Sequence, residues 1–391
     1  MRLLVTSTYF DTHLGGVEIV AGRLARELAD AGHVVELAAT DSSEIPKESN
    51  FTVHPLLSSN FIEKRIGLPL PILMPRGVVD LHARCGASDA VLINDTLGGV
   101  CICAFISAKL HRKPVLILQH LGDARFSSLL VRAAFRIGER IFTRPMLSLA
   151  DQVAYISETT ARHFSKVRLK RPARISFSGV DTSIFRPRKD DAEKNILRGK
   201  FGLSETRPVV LYVGRFVETK GLEILRETAQ LRPDLDFALA GWGPVDPAKW
   251  RLPNVRSFRG LAGDSLSQLY RSADIFLLAS HSESFSLVVR EALASGLPVI
   301  CGKDVAATDV DLAAYVTTVS INPANAKQTA TEIATRIDSA MTSENTAAGL
   351  AFVRARYDWK HIAALFSGLL EAFAPTNANQ DRVCPPISIA D

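Results

Sequence analysis

Two successive series of short apolar segments, alternating with amphipathic stretches, constrain this chain more than any other feature. The first opens with Leu3-Leu4-Val5-Thr6-Ser7, passes a loop at Gly15-Gly16, continues through a helical stretch from Val17 to Ala31 and returns as Val34-Val35-Glu36-Leu37-Ala38. In that stretch Ile19, Leu24 and Leu28 form one apolar side with Arg23, Arg26, Glu27 and Asp30 elsewhere, the spacing of an amphipathic helix. Further strands are expected at Ala90 to Asn94, Val115 to Gln119, Gln152 to Ile156 and Arg174 to Phe177, and a second series begins with Val209-Val210-Leu211-Tyr212-Val213 and runs to Ile321. Strands that alternate with helices in this way predict an α/β fold of parallel sheets with helices on both faces.

With 391 residues the chain exceeds what one ordinary hydrophobic core holds and fits two domains. Hydrophobic residues at 47% and charged residues at 22% exclude a disordered chain. The formal charge of +5 suits an anionic ligand or an acidic lipid surface and excludes a nucleic-acid footprint. Met1-Arg2-Leu3-Leu4-Val5 enters strand and glycine loop at once, with no apolar leader, so the chain is expected in the cytoplasm. No apolar run approaches the roughly 20 residues that cross a bilayer; Leu97 to Ala108 fits a buried helix. Cys85, Cys101, Cys103, Cys301 and Cys384 lack paired spacing and read as reduced thiols rather than a zinc site. Charge and proline cluster from Asp181 to Lys200, as in a connection between domains.

Loop chemistry concentrates at three strand ends of the second series. The first strand ends in Gly214-Arg215-Phe216-Val217-Glu218-Thr219-Lys220-Gly221, where an arginine fork and a mobile lysine charge stand in a strand-to-helix loop, chemistry that stabilises phosphate. Taken alone, Arg215 and Lys220 fit exposed loop cations better. The next strand ends in Gly241-Trp242-Gly243-Pro244. The third, Ile275 to Ser280, leads into Glu283-Ser284-Phe285-Ser286-Leu287-Val288-Val289-Arg290-Glu291, which sets two carboxylates eight positions apart where a helix start offers free N–H groups to an anion. A helix cap and a solvated face give the same spacing.

In order and spacing, these segments resemble the retaining, nucleotide-sugar-dependent glycosyltransferases of family 4, with the GT-B fold. The resemblance rests on Gly15-Gly16-Val17-Glu18, Ser178-Gly179-Val180-Asp181 with Phe185, Gly214-Arg215 with Lys220-Gly221, Gly241 to Pro244, and Glu283 with Glu291, and spans Met1 to Phe373. It implies two facing Rossmann-like domains: residues 1–180 for the acceptor, a linker at 181–200, residues 201–357 for the donor, a helix at 358–373 crossing back to the first domain, and a disordered tail at 374–391.

The resemblance also implies roles. Arg215 and Lys220 bind the donor diphosphate, Glu283 positions the transferred sugar, and His120, at the end of the Val115 to Gln119 strand, meets a sugar hydroxyl. Gly15, Gly16, Gly214 and the N–H groups around Phe285, Ser286 and Leu287 approach phosphate and sugar, and Glu291 accepts from the ribose diol. Ser157-Glu158-Thr159 resembles a family turn, and a helix cap explains it equally. No metal or other cofactor is expected; the implied activity is a metal-independent retaining hexosyltransferase using a nucleotide diphosphate sugar and a glycan or lipid-linked acceptor, in surface polysaccharide, lipopolysaccharide or glycolipid assembly. A nucleotide-sugar epimerase of the same fold, or a non-catalytic sugar-nucleotide-binding subunit, are the alternatives. Two departures stand out: Ser286 replaces a usual glycine, and Cys301-Gly302-Lys303-Asp304-Val305-Ala306-Ala307 replaces a double-glycine segment with an acidic residue.

Arg132, Arg136, Arg140 and Arg144 recur every four residues after Arg125, a basic stripe with apolar neighbours that suits peripheral contact with an anionic membrane at the inner face of the cell membrane and equally a packed helix with a solvated face. The apolar, proline-rich stretch from Gly67 to Pro75 either adds to such a surface or is a plain loop.

Overall fold

The computed structural model describes residues 1–13, 15–42, 44–46, 50–61, 71–122, 129–280, 283–343 and 345–373. In chain order the strands are β1 (Arg2–Thr6), β2 (Val34–Thr40), β3 (Thr52–Leu56), the short β4 (Ser58–Ser59) and β5 (Ile72–Leu73), β6 (Ala90–Asn94), β7 (Val115–Gln119), β8 (Gln152–Tyr155) and β9 (Arg174–Ile175). They continue with β10 (Val209–Val213), β11 (Asp236–Ala240), β12 (Val255–Phe258), β13 (Ile275–Leu278), β14 (Val299–Gly302) and β15 (Thr317–Val319). Seven form one sheet in the order β3-β2-β1-β6-β7-β8-β9 and six form a second in the order β12-β11-β10-β13-β14-β15. Every pairing within the two sheets is parallel, so the fold is α/β with two Rossmann-like domains, while β4 and β5 form a small antiparallel pair.

Burial on both faces explains the continuous apolar runs. Every residue of β6, β7, β10 and β11 is buried, because helices cover each sheet on both sides and leave no solvent face to demand alternation. In each sheet the strand order reverses beside its first strand, between β1 and β6 and between β10 and β13. Loops leaving the carboxyl ends there diverge to opposite faces and open a crevice, where doubly wound sheets bind ligands.

Two chain crossings join the domains side by side, with the Val180 N–H donating to the Tyr357 carbonyl at 2.9 Å. The second crossing leads into the helix Trp359–Glu371, capped by Asp358, whose carboxylate accepts from Lys360 N–H at 2.7 Å. Its Trp359, Ile362, Phe366 and Leu370 share a core with Val20, Leu24 and Leu28 of the first domain. Trp359 comes so close to the first crossing that a Cβ on Gly179 would collide with its indole.

Three local expectations are corrected. In the helix Gly16–Asp30 the buried side is Val20, Leu24 and Leu28, four residues apart, and Ile19 lies exposed. Within the charged segment 181–200, residues from 191 on belong to the helix Asp191–Phe201: Asp190 caps it by accepting from Glu193 N–H at 2.8 Å, and the Glu193 carboxylate accepts from Lys189 N–H, one residue before the cap, at 2.6 Å. The arginine stripe is broken, because the helix Leu129–Gly138 runs into a π-helical turn, Glu139–Thr143. That wider turn swings Arg144 onto Glu139 at 2.7 Å, which also pairs with His163 at 2.9 Å. Exposed Arg136 and Arg140 then stand beside exposed Ile137, Ile141 and Phe142. Arg125, residues 67–70 of the proline-rich stretch, Cys384 and the tail 374–391 lie outside the described residues. Among the described residues, no helix is long and apolar enough to cross a membrane.

Candidate active site at the switch point of the second sheet

Two glycines bring the strand-end loops of the second domain together. Gly221 has φ +75°, and a Cβ there would fall on the Ala279 carbonyl at the end of β13; any side chain would push the lysine loop off that strand. Gly241 likewise lies on the Gly214 carbonyl. The loops close with Ser280 Oγ donating to the Thr219 carbonyl at 3.3 Å. As a result Lys220 Nζ meets Glu283 Oε1 at 2.6 Å, with only 19% and 9% of the two side chains exposed. Sixty-odd residues of sequence separate a pair that the switch point makes adjacent.

The helix Leu287–Ala294 begins four residues after Glu283, with Ser286 at its N-cap. Ser286 is buried, and its hydroxyl neither caps the helix nor finds another partner among the described residues. Phe285 packs against both domain cores and lies 6.0 Å from Phe177 and 6.1 Å from Tyr357 between ring centroids. Two turns along, Glu291 Oε2 accepts from the Tyr270 hydroxyl at 3.0 Å. Burial pushes the Glu291 carboxyl up to about 7, against the smaller opposing effect of the Tyr270 bond. Gly214 sits where a Cβ would press on the Tyr212 hydroxyl, which donates to the Arg215 carbonyl at 2.9 Å. The exposed Arg215 guanidinium makes no ion pair among the described residues. An exposed cation, a lysine–glutamate pair and a helix start thus gather at the strand ends beside the switch point of the second sheet.

The other residues singled out in the sequence lie in the first domain. His120 follows β7, is 5% exposed and has Nε2 3.4 Å from Asn94 Oδ1; burial holds its pKa down at about 3, so the ring is neutral at physiological pH. Gly15 is the N-cap of Gly16–Asp30 and makes no side-chain demand of its own, yet the space over it is taken: a Cβ would meet the Glu18 carboxylate, while nothing lies within 4 Å of one on Gly16. Among the described residues, no hydrogen bond or ion pair joins Gly15, Gly16 or His120 to Lys220 and Glu283. Ser157 is a helix cap, accepting from Thr160 N–H at 3.2 Å. Its neighbour Glu158 also donates its N–H to the Thr308 carbonyl of the second domain at 3.1 Å.

Sequence reasoning passes over three residues. Asp95, at φ +68° after β6, is 8% exposed and accepts from Thr96 N–H at 2.7 Å and Gln119 Nε2 at 2.8 Å; its one sequence signal is an acidic residue between a strand end and Gly98-Gly99. Tyr270 and Arg290 carry no local signal, because each reads as an ordinary residue of an amphipathic helix.

A parallel two-domain fold with cations and a helix start gathered at a switch point is a doubly wound α/β architecture, in which strand ends are the usual place for a ligand. A family model described as Glycosyltransferase Family 4 matches residues 14–184, and one described as Glycosyl transferases group 1 matches residues 193–350. The chain belongs to the group 1, family 4 glycosyltransferases. It is 33% identical over 192 residues to a sulfoquinovosyl transferase of Arabidopsis thaliana, a match covering 48% of this chain and 37% of that protein. A GDP-mannose-dependent alpha-mannosyltransferase of Mycolicibacterium smegmatis is 29% identical over 77% of this chain and 79% of its own length. The solved sucrose-phosphate synthase of Thermosynechococcus elongatus shares the fold, with TM-score 0.74 and 19% identity over 95% of this chain and 98% of that one. The chain thus spans little more than a third of the plant relative and most of the mycobacterial one.

Proposed function

We propose that this protein transfers a hexose, with retention of anomeric configuration, from a nucleotide diphosphate sugar to a hydroxyl of a glycan or lipid-linked acceptor in cell-surface glycan or glycolipid assembly. The carrying observation is the Lys220–Glu283 pair at 2.6 Å beside the start of Leu287–Ala294. Charge develops on the departing diphosphate in the transition state, so preorganised positive groups there accelerate the reaction. Lys220, Arg215 and the helix N–H groups supply it without a divalent metal. Glu283, fixed by Lys220, accepts from hydroxyls of the transferred sugar, and Glu291 accepts from the ribose diol, as acceptor-only carboxylates do. Neutral His120 offers a hydrogen bond to the sugar from the facing domain. Acceptor entry on the face that the phosphate leaves needs no protein nucleophile. The GDP-mannose dependence of the mycobacterial relative supports a nucleotide sugar donor.

Exposed Ile137, Ile141 and Phe142 beside Arg136 and Arg140 support an anionic lipid surface as the place of reaction.

Thermal shift with UDP-, GDP- and ADP-hexoses identifies the donor, since a bound donor stabilises the fold by mass action. With that donor, NMR of the products is expected to show the donor's anomeric configuration retained, and turnover is expected to persist in excess chelator. Inversion, a strict need for added magnesium or manganese, or epimerised donor without transfer would each overturn this reading.

A further inference from the structure

Arg290 is a buried cation with no counter-ion among the described residues. It is the largest fully buried side chain, 0% exposed, and among the described residues no carboxylate pairs with it. The nearby Asp309 is engaged elsewhere, by Arg356 at 2.7 Å and the Tyr357 hydroxyl at 2.5 Å. Arg290 instead lies with its guanidinium 4.0 Å from the Phe285 ring centroid, donates from Nη1 to the Ser286 carbonyl at 3.1 Å and from Nη2 to Thr308 Oγ1 at 2.9 Å, and leaves Nε without a partner. An unpaired buried charge is costly, and here the cost falls one residue from Glu291 and beneath the turn that opens Leu287–Ala294.

The Ser286 carbonyl and the Leu287 N–H belong to one peptide group. A guanidinium held on the oxygen polarises that amide and fixes its plane, so the N–H at the other end becomes a stronger and better oriented donor. The ring contact pins Phe285, and the Thr308 bond ties the turn to the loop on which Glu158 of the first domain docks.

We propose that Arg290 is a positioning residue for the donor's diphosphate: it sets the Ser286–Leu287 peptide towards the anion, and the bound diphosphate supplies the negative charge that the protein leaves out. This rests on the donor reading above. Arg290 touches no substrate; it acts through the peptide and through its field in a site of low dielectric.

The test compares Arg290→Lys and Arg290→Gln with the wild type, measuring by calorimetry the affinities of UDP, GDP and ADP and of the matching nucleosides. With the base that the wild type prefers, diphosphate affinity is expected to fall about ten- to a hundredfold in Arg290→Gln and less in Arg290→Lys, which keeps the charge, while nucleoside affinity stays within about twofold. An equal loss for nucleoside and diphosphate would make Arg290 merely structural and overturn the proposal, as would unchanged diphosphate affinity. Should both variants fail to fold, Thr308→Val, which removes one anchor of the guanidinium and keeps the charge, decides by the same comparison. If the wild type binds none of the three diphosphates, it is the donor reading that fails.

Discussion

Glu291 titrates where no exposed glutamate does. Burial raises its pKa to about 7 from the ordinary 4.5, which brings its titration into the neutral range. Ribose hydroxyls donating to the ionised form would pull the pKa back down, and binding would then expel a proton. The sign follows: the free protein binds the proton more tightly than the complex, so diphosphate affinity rises with pH up to about 7 and levels off above it. Proton release on binding, measured calorimetrically in buffers of different ionisation enthalpy, is expected to be large at about pH 6 and near zero at about pH 8. Glu291→Gln should abolish that dependence; the same release from the variant would remove Glu291 from the donor site. Tyr270, whose hydroxyl meets the same oxygen, is raised well above its ordinary range by burial and does not titrate in this window.

At the scale of elements, the lysine loop and the strand β13 depend on one glycine. Gly221 combines φ +75° with backbone contact to Ala279, so Gly221→Ala incurs both left-handed strain and a steric clash. Together they are expected to destabilise the protein by about 2–5 kcal/mol, read as a fall in the unfolding midpoint. If the variant folds, the loop shift should also separate Lys220 from Glu283 and lower kcat. A variant as stable and as active as the wild type would mean the loops meet for another reason. The π-helical turn at Glu139–Thr143 is a second case of an element-scale decision. The arginine rhythm ends there in an ion pair, since Arg144, directly after the wider turn, is held on Glu139.

The whole molecule joins two domains through paired crossings and a terminal helix whose Trp359, Ile362, Phe366 and Leu370 are buried in the first domain's core. Full burial of such side chains contributes about 1.5–3 kcal/mol each, enough to tie the end of the second domain's chain to the first domain. On the outer flank, Arg136 and Arg140 beside Ile137, Ile141 and Phe142 give a membrane prediction at this scale. Vesicles with anionic lipid are expected to retain the protein at low salt and release it as salt rises, because surface attraction is screened over about 10 Å at 0.1 M. Ile141→Asp should weaken retention without changing turnover of a soluble donor. Equal partition to neutral and anionic vesicles would refute the membrane surface.

The sequence by itself determined the alternation of strands and helices and the two switch-point loops, because apolar period, glycine position and charge are local properties carried by Val209 to Val213, Gly214 to Gly221 and Glu283 to Glu291. Only the tertiary structure decided which partners those residues have. The Lys220–Glu283 contact, the raised pKa of Glu291 beside Tyr270, the neutral state of His120 and the lack of a counter-ion for Arg290 among the described residues depend on burial and on groups distant in the chain. Neither quantity has a local signature, since the same arginine on the same amphipathic helix would be a solvated cation if the helix were turned by half.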